Sequence, residues 1–187
     1  MYKGRYSVFK FNTRTLVATA IGAALFTVLF MYVKIPSPVA NTEFHTAYAI
    51  GSFFAVVFGP ISGFLIAFIG HALSDTFLWG SAWWSWVIAS GVAGFLFGMA
   101  KKWIDSESGV FGLKEILIFN AVQAVSHLIA WVIVAPLLDI LIYSEPVNLV
   151  FAQGFVAFIS SAIATGVFGT LLLLAYSKTR TKEGSLE

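Results

Sequence analysis

The chain has 187 residues, of which 59% are hydrophobic and only 11% charged, and its net charge at pH 7 is +2. A soluble domain carries about a quarter charged residues, and a water-soluble fold of this size cannot cover so much apolar surface, so lipid serves as solvent for this chain. With no cysteine in the sequence, disulfides, thiolate nucleophiles and cysteine metal sites are excluded.

A helix needs roughly 20 apolar residues to cross the hydrocarbon core, so the uncharged stretches are the units to count. The first, Thr15 to Val33, reads as a retained span and not as a cleavable signal, because further spans follow it. The next, Phe44 to Ser74, is interrupted by Gly59 and Pro60, a pair that stops a helix, so it is either one broken helix or a hairpin of two. Thr76 to Ala100, Ile116 to Leu138 and Pro146 to Ser177 complete the set.

Short loops rich in lysine and arginine stay in the cytoplasm, and this rule chooses between five spans and six. With six, the clusters Lys3, Arg5, Lys10 and Arg14, then Lys101, Lys102 and Lys114, then Lys178, Arg180 and Lys182 share one side, and only Lys34 lies opposite. The expected architecture is therefore an all-α membrane protein of six transmembrane helices, both termini cytoplasmic. It forms a single domain over 1–187, with spans near 15–33, 44–58, 61–79, 83–100, 114–135 and 148–176. Trp79, Trp83, Trp84 and Trp86 gather where the third and fourth spans meet the outer face, as amphipathic rings prefer the headgroup level. Ala20 with Ala24, Gly94 with Gly98, and Gly166 with Gly169 have the spacing that lets helices approach closely.

Polar groups inside spans need a reason, since an aspartate at a helix centre costs about 2.5 to 3.5 kcal/mol to insert. His71 and Asp75 lie one turn apart on span three. Asn120, Gln123, His127 and Trp131 are spaced by three, four and four residues, which confines them to one stripe of span five. Gln153 lies near the start of span six. The alternating span directions put most of these groups in the middle or outer half of the bilayer, with Trp84 and Trp86 beside them. The inner halves are apolar apart from Thr165 and Thr170. An outward pocket with aromatic walls is the expected result, suited to a small flat polar molecule. Each group also has a plainer reading: Asp75 solvated at the interface, His71 only its partner, His127 a packing residue, Asn41 and Thr42 caps of the second helix, and Trp83 an interfacial anchor.

Neither a P-loop, nor His-Glu-x-x-His, nor Gly-x-Ser-x-Gly occurs, so the chain has no phosphate cradle of the P-loop kind. His71 and Asp75 as metal ligands would need a third partner, His127 or His45.

Four segments carry a family resemblance: Ala20-Ile21-Gly22-Ala23-Ala24, Phe58-Gly59-Pro60, Gly70-His71-Ala72-Leu73-Ser74-Asp75 and Trp83-Trp84-Ser85-Trp86-Val87. Over nearly the whole chain the sequence resembles the S components, the substrate-capture subunits of energy-coupling factor (ECF) vitamin importers, and within them the hydroxymethylpyrimidine branch. It departs from that branch at Ser74, where lysine is common, and at Ala82, where proline is common. The resemblance implies a six-helix fold, a pocket closed by the loop between spans one and two, and no ATPase or cofactor in this chain. It also implies a transmembrane T component docked on an Ala-x-x-x-Ala face, matched here by Ala20 and Ala24, with ATP used by two cytosolic ATPase partners. The resemblance further implies that the loaded subunit topples in the membrane to release its cargo.

The expected function is thus capture of a vitamin or vitamin precursor at a bacterial plasma membrane, not catalysis. Asn41, His71, Asp75, Trp84, Asn120, Gln123, His127 and Gln153 are the expected ligand-binding residues, with Trp84 stacking on the ring. An intramembrane metal-dependent enzyme, a self-sufficient secondary carrier and a structural scaffold are the alternatives.

Overall fold

The structure, a computed structural model, describes residues 8, 9 and 11–180. Among these residues the chain folds into six helical rods and one small hairpin: α1 (Thr13–Tyr32), β1 (Lys34–Pro36), β2 (Glu43–His45), α2 (Ala47–Phe58), α3 (Pro60–Trp79), α4 (Trp84–Gly98), α5 (Leu113–Tyr143) and α6 (Val147–Lys178). Four of these, α1, α3, α5 and α6, are long and apolar enough to cross a membrane, and α2 is a shorter apolar helix. One 3₁₀ turn, Met99–Lys102, extends α4.

Local chemistry explains where the rods begin and end. Asn12 caps α1, its side-chain oxygen accepting the Thr15 N–H at 3.0 Å. The apolar stretch that begins at Phe44 is a pair of helices, α2 and α3, that meet at Gly59, whose φ of +103° suits glycine; Phe44 and His45 belong to the hairpin and not to the second helix, and Pro60 opens α3 at a position where its missing N–H leaves no bond unmade. Gly80, at φ +81°, ends α3 in the left-handed conformation. The α5 rod runs further than the apolar run suggests, through Pro136 and Asp139 to Tyr143. A π-helical stretch over Ile129–Val134 precedes Pro136 and absorbs the backbone hydrogen bond that proline cannot make. A second π-helical stretch, Thr165–Gly169, lies in α6.

The rods pack as a bundle in which α3 lies against both α1 and α4, α2 touches all three, and α5 bridges α4 and α6. Small residues set the closest approach. A Cβ at Gly63 would strike the Gly94 carbonyl oxygen, one at Gly94 would strike the Gly63 carbonyl oxygen, and one at Gly98 would run into Pro60. The Gly94 and Gly98 face is therefore the α3–α4 crossing within this chain. Gly166 and Gly169 likewise give room to Asn120 and Phe119 of α5. Ala20 and Ala24, by contrast, are on an exposed face of α1 beside Val17, Ile21 and Val28.

The two ends of the bundle differ. At one, Glu107 in the loop after α4 lies 3.4 Å from Arg14 and 3.4 Å from Arg180, and Lys101 donates to the Val57 carbonyl at 2.6 Å beside the Gly59 turn. Lys3, Arg5, Lys10 and Lys182 lie outside the described residues. At the other end the hairpin pairs Lys34 with His45 and Pro36 with Glu43 in register, and Lys34 donates to Glu43 at 2.6 Å. A cavity opens at this second end.

Adding a methyl group at the α3–α4 crossing forces the two backbones apart. Gly94→Ala is expected to lower stability by about 1 to 3 kcal/mol, read as the unfolding midpoint of the purified protein in detergent. An unchanged midpoint contradicts a backbone contact at this crossing.

Candidate ligand-binding cavity

The cavity has a volume of about 840 Å³. Its walls come from the β1–β2 hairpin and its connecting loop, from the end of α3, the start of α4, the end of α5 and the start of α6. Four acidic side chains line it, Glu43, Asp75, Asp139 and Glu145, with His45 and His71, and among the described residues no lysine or arginine does. Phe30, Tyr48, Trp83, Trp86 and Trp131 supply aromatic surface.

On α3 the i, i+4 spacing brings His71 Nε2 to 3.4 Å from Asp75 Oδ1, both side chains being buried. The other ring nitrogen of His71 lies 2.5 Å from Ser90 Oγ, which in turn lies 2.8 Å from the Tyr48 hydroxyl. A polar chain therefore runs from the cavity into the core across α3, α4 and α2. The second oxygen of Asp75 accepts the backbone N–H of Trp83 at 3.0 Å. Asp75 is only 7% exposed, so it is held by the protein and not merely solvated at an interface.

Asp139 is the residue that sequence reasoning missed. It is 2% exposed and accepts three hydrogen bonds, from Trp83 Nε1 at 2.6 Å, Ser85 Oγ at 2.6 Å and Trp86 Nε1 at 3.0 Å. Trp86 stacks on Trp131 with ring centres 5.9 Å apart, and the Trp131 indole donates to His127 Nδ1 at 2.8 Å. Its signal in the sequence is a lone carboxylate within an apolar run, where a charge ordinarily marks the end of a span.

The loop side is built around His45. Its ring lies parallel to Phe30 with centres 3.8 Å apart, and Phe30 also meets His71 at 4.4 Å. Burial, with Lys34 and His71 nearby, lowers the His45 pKa from 6.5 to about 3. Gln153 of α6 reaches across to donate to the Ala40 carbonyl at 2.9 Å, which fixes the loop over the cavity. Asn41 lines the cavity with φ at +55° and does not cap α2, whose first turn has Thr46 at its N-cap.

The expected site residues thus divide. Asn41, His71, Asp75 and Gln153 line the cavity together. Trp84 is 48% exposed and packs toward Phe68, away from the cavity, while its neighbours Trp83 and Trp86 form the wall. Asn120, Gln123 and His127 do form one stripe with Trp131, but they face α6: Asn120 donates to Thr170 Oγ1 at 3.1 Å, Gln123 to the Ala162 carbonyl at 3.1 Å, and His127 Nε2 lies 3.0 Å from Thr165 Oγ1. Thr165 and Thr170 of α6 are the partners of His127 and Asn120. The stripe is an interhelical seam, because amides in an apolar setting take the nearest partner helix. Among the described residues no group of three or more His, Cys, Asp or Glu side chains is placed to hold a metal ion.

Residues 10–178 match the sequence profile of the ECF-type riboflavin transporter S component family. The chain belongs to this family. Relatives named UPF0397 protein are 51% identical in Streptococcus gordonii over 177 residues, covering 95% of each chain. In an Exiguobacterium species the identity is 52%, covering 95% of this chain and 97% of the relative, and in Lactobacillus acidophilus it is 46%, covering 94% and 95%. As an S component the chain is a membrane substrate-binding subunit of an ECF transporter, a transporter component and not a member of an enzyme family. Membership implies association with an ECF T component and ATPases.

The His45 environment carries a pH dependence. Because the folded pKa lies below the unfolded 6.5, protons bind the opened loop in preference, so His45 supports loop closure above about 6.5 and withdraws that support as the pH falls below it. Protease cleavage within the 36–42 loop is expected to accelerate on acidification in the wild type and to lose most of that acceleration in His45→Phe. An equal acceleration in both proteins contradicts the assignment.

Proposed function

We propose that this S component crosses the bilayer six times with both termini in the cytoplasm of a bacterial cell, and that its cavity captures from outside a flat heteroaromatic bearing an amino group, with hydroxymethylpyrimidine as the best match. The acid-lined, aromatic-walled cavity without lysine or arginine carries this reading. Carboxylates only accept hydrogen bonds, so they select a ligand rich in donors, and indole rings select one with a flat face. Among the four acids, Glu43 is engaged by Lys34 and Asp139 by three donors; of the other two, Asp75 and Glu145, Asp75 has His71 beside it, which makes this the pair for the exocyclic amine and a ring nitrogen. Gln153 and Asn41 serve the loop side.

Release to the inside is assigned to partners. Ala20 and Ala24, on the exposed face of α1, dock on the T component, and two cytosolic ATPases drive the complex. The α5–α6 seam is closed on itself by hydrogen bonds, which fits a body that reorients as a unit better than one that opens a polar channel.

The family's name favours a second ligand, riboflavin, and a cavity of about 840 Å³ is roomy for a pyrimidine. Equilibrium binding to the purified protein decides. Hydroxymethylpyrimidine is expected to bind the wild type, and Asp75→Ala to weaken it by roughly tenfold or more. Unchanged affinity in the variant overturns the Asp75 assignment, and binding of riboflavin alone overturns the pyrimidine.

A further inference from the structure

Asp139 is the buried charge that ligand capture, as described so far, does not use. It sits on α5, and its three donors all come from the start of α4: the indoles of Trp83 and Trp86 and the hydroxyl of Ser85. Both indoles belong to cavity-lining residues, as does Asp139 itself. Trp83 is gripped twice, its backbone N–H by Asp75 and its indole N–H by Asp139, and its ring lies 4.7 Å from Tyr143. The third tryptophan of the wall, Trp131, spends its indole N–H on His127. The indole N–H groups of Trp83, Trp86 and Trp131 are thus taken inside the protein, so that these three offer a ligand only ring surface, while Trp79, which also lines the cavity, is 73% exposed at its rim. A carboxylate can accept from three donors at once, whereas an amide at the same place presents its own N–H₂ to donors and loses acceptor sites.

We propose that Asp139 is a positioning residue for ligand capture: it fixes Trp83 and Trp86 with their N–H groups turned away, so that these two rings recognise a ligand by stacking alone and leave hydrogen-bond selection to Asp75 and His71. This rests on the reading of the cavity as the ligand site. It is separable from the identity of the ligand, because the tether can be observed with no ligand present.

The test uses the full chain in detergent with its tryptophan indole nitrogens labelled with 15N, the Trp83 and Trp86 signals being assigned by Trp83→Phe and Trp86→Phe. In the wild type these two indole protons are expected to exchange with deuterium roughly 100-fold more slowly than the exposed Trp79 indole. In Asp139→Asn the protection of both is expected to fall, and affinity for hydroxymethylpyrimidine to drop roughly tenfold with the signals of Trp79 and Trp103 unmoved. Exchange and affinity unchanged in Asp139→Asn overturn the proposal. Should that variant not fold, the wild type alone decides: Trp83 and Trp86 indoles exchanging as fast as Trp79 overturn it, and slow exchange at both supports it. If the wild type does not bind hydroxymethylpyrimidine, the pyrimidine reading fails while the exchange arm still judges Asp139.

Discussion

A carboxylate among apolar helices has to be met by donors from its neighbours, and two such groups organise this protein. Asp75 on α3 and Asp139 on α5 both draw on the start of α4, where Trp83, Ser85 and Trp86 offer six polar hydrogens between backbone and side chains, four of them accepted by these carboxylates. Meeting that demand pulls three helices to one point near one end of the bundle. The cavity is what remains between them once the charges are satisfied. Its acidity and its aromatic walls therefore have one origin: the same carboxylates that make it acidic hold the rings that face it.

The opposite end is organised by close packing and by basic residues. Glycines at the α3–α4 crossing let backbone meet backbone, and the Gly59 turn tucks against Lys101. A glycine-packed half thus lies beside a half covered by the hairpin loop. The cover itself is held by few contacts, among them the Gln153 bond to Ala40 and the stacking of His45 on Phe30.

Much of this was legible in the sequence, and the residues show why some was not. The His71 and Asp75 pair follows from spacing alone, and the turn at Gly59 and Pro60 from backbone chemistry. Periodicity also found the Asn120, Gln123, His127 and Trp131 stripe, but a period specifies a face and not what that face meets. The partner proved to be α6 for three of the four residues. Trp83 and Trp84 are adjacent at the mouth of α4, about 100° apart around the axis, and no pattern in the sequence says which turns inward. Asp139 was hidden because a charge normally ends an apolar run. Here the run continues, since three donors from another helix hydrogen-bond that carboxylate, a tertiary fact with no local trace.

On the proposed topology the acid-lined cavity faces outward while the basic end faces the cytoplasm. The absence of cysteine makes it directly measurable with single introduced thiols. Ser81 lines the cavity and Ser108 lies in the loop at the basic end. In intact cells, a membrane-impermeant maleimide is expected to label Ser81→Cys and to leave Ser108→Cys unlabelled until the membrane is opened. Labelling of Ser108→Cys with Ser81→Cys protected contradicts the account, because the cavity would then open to the cytoplasm.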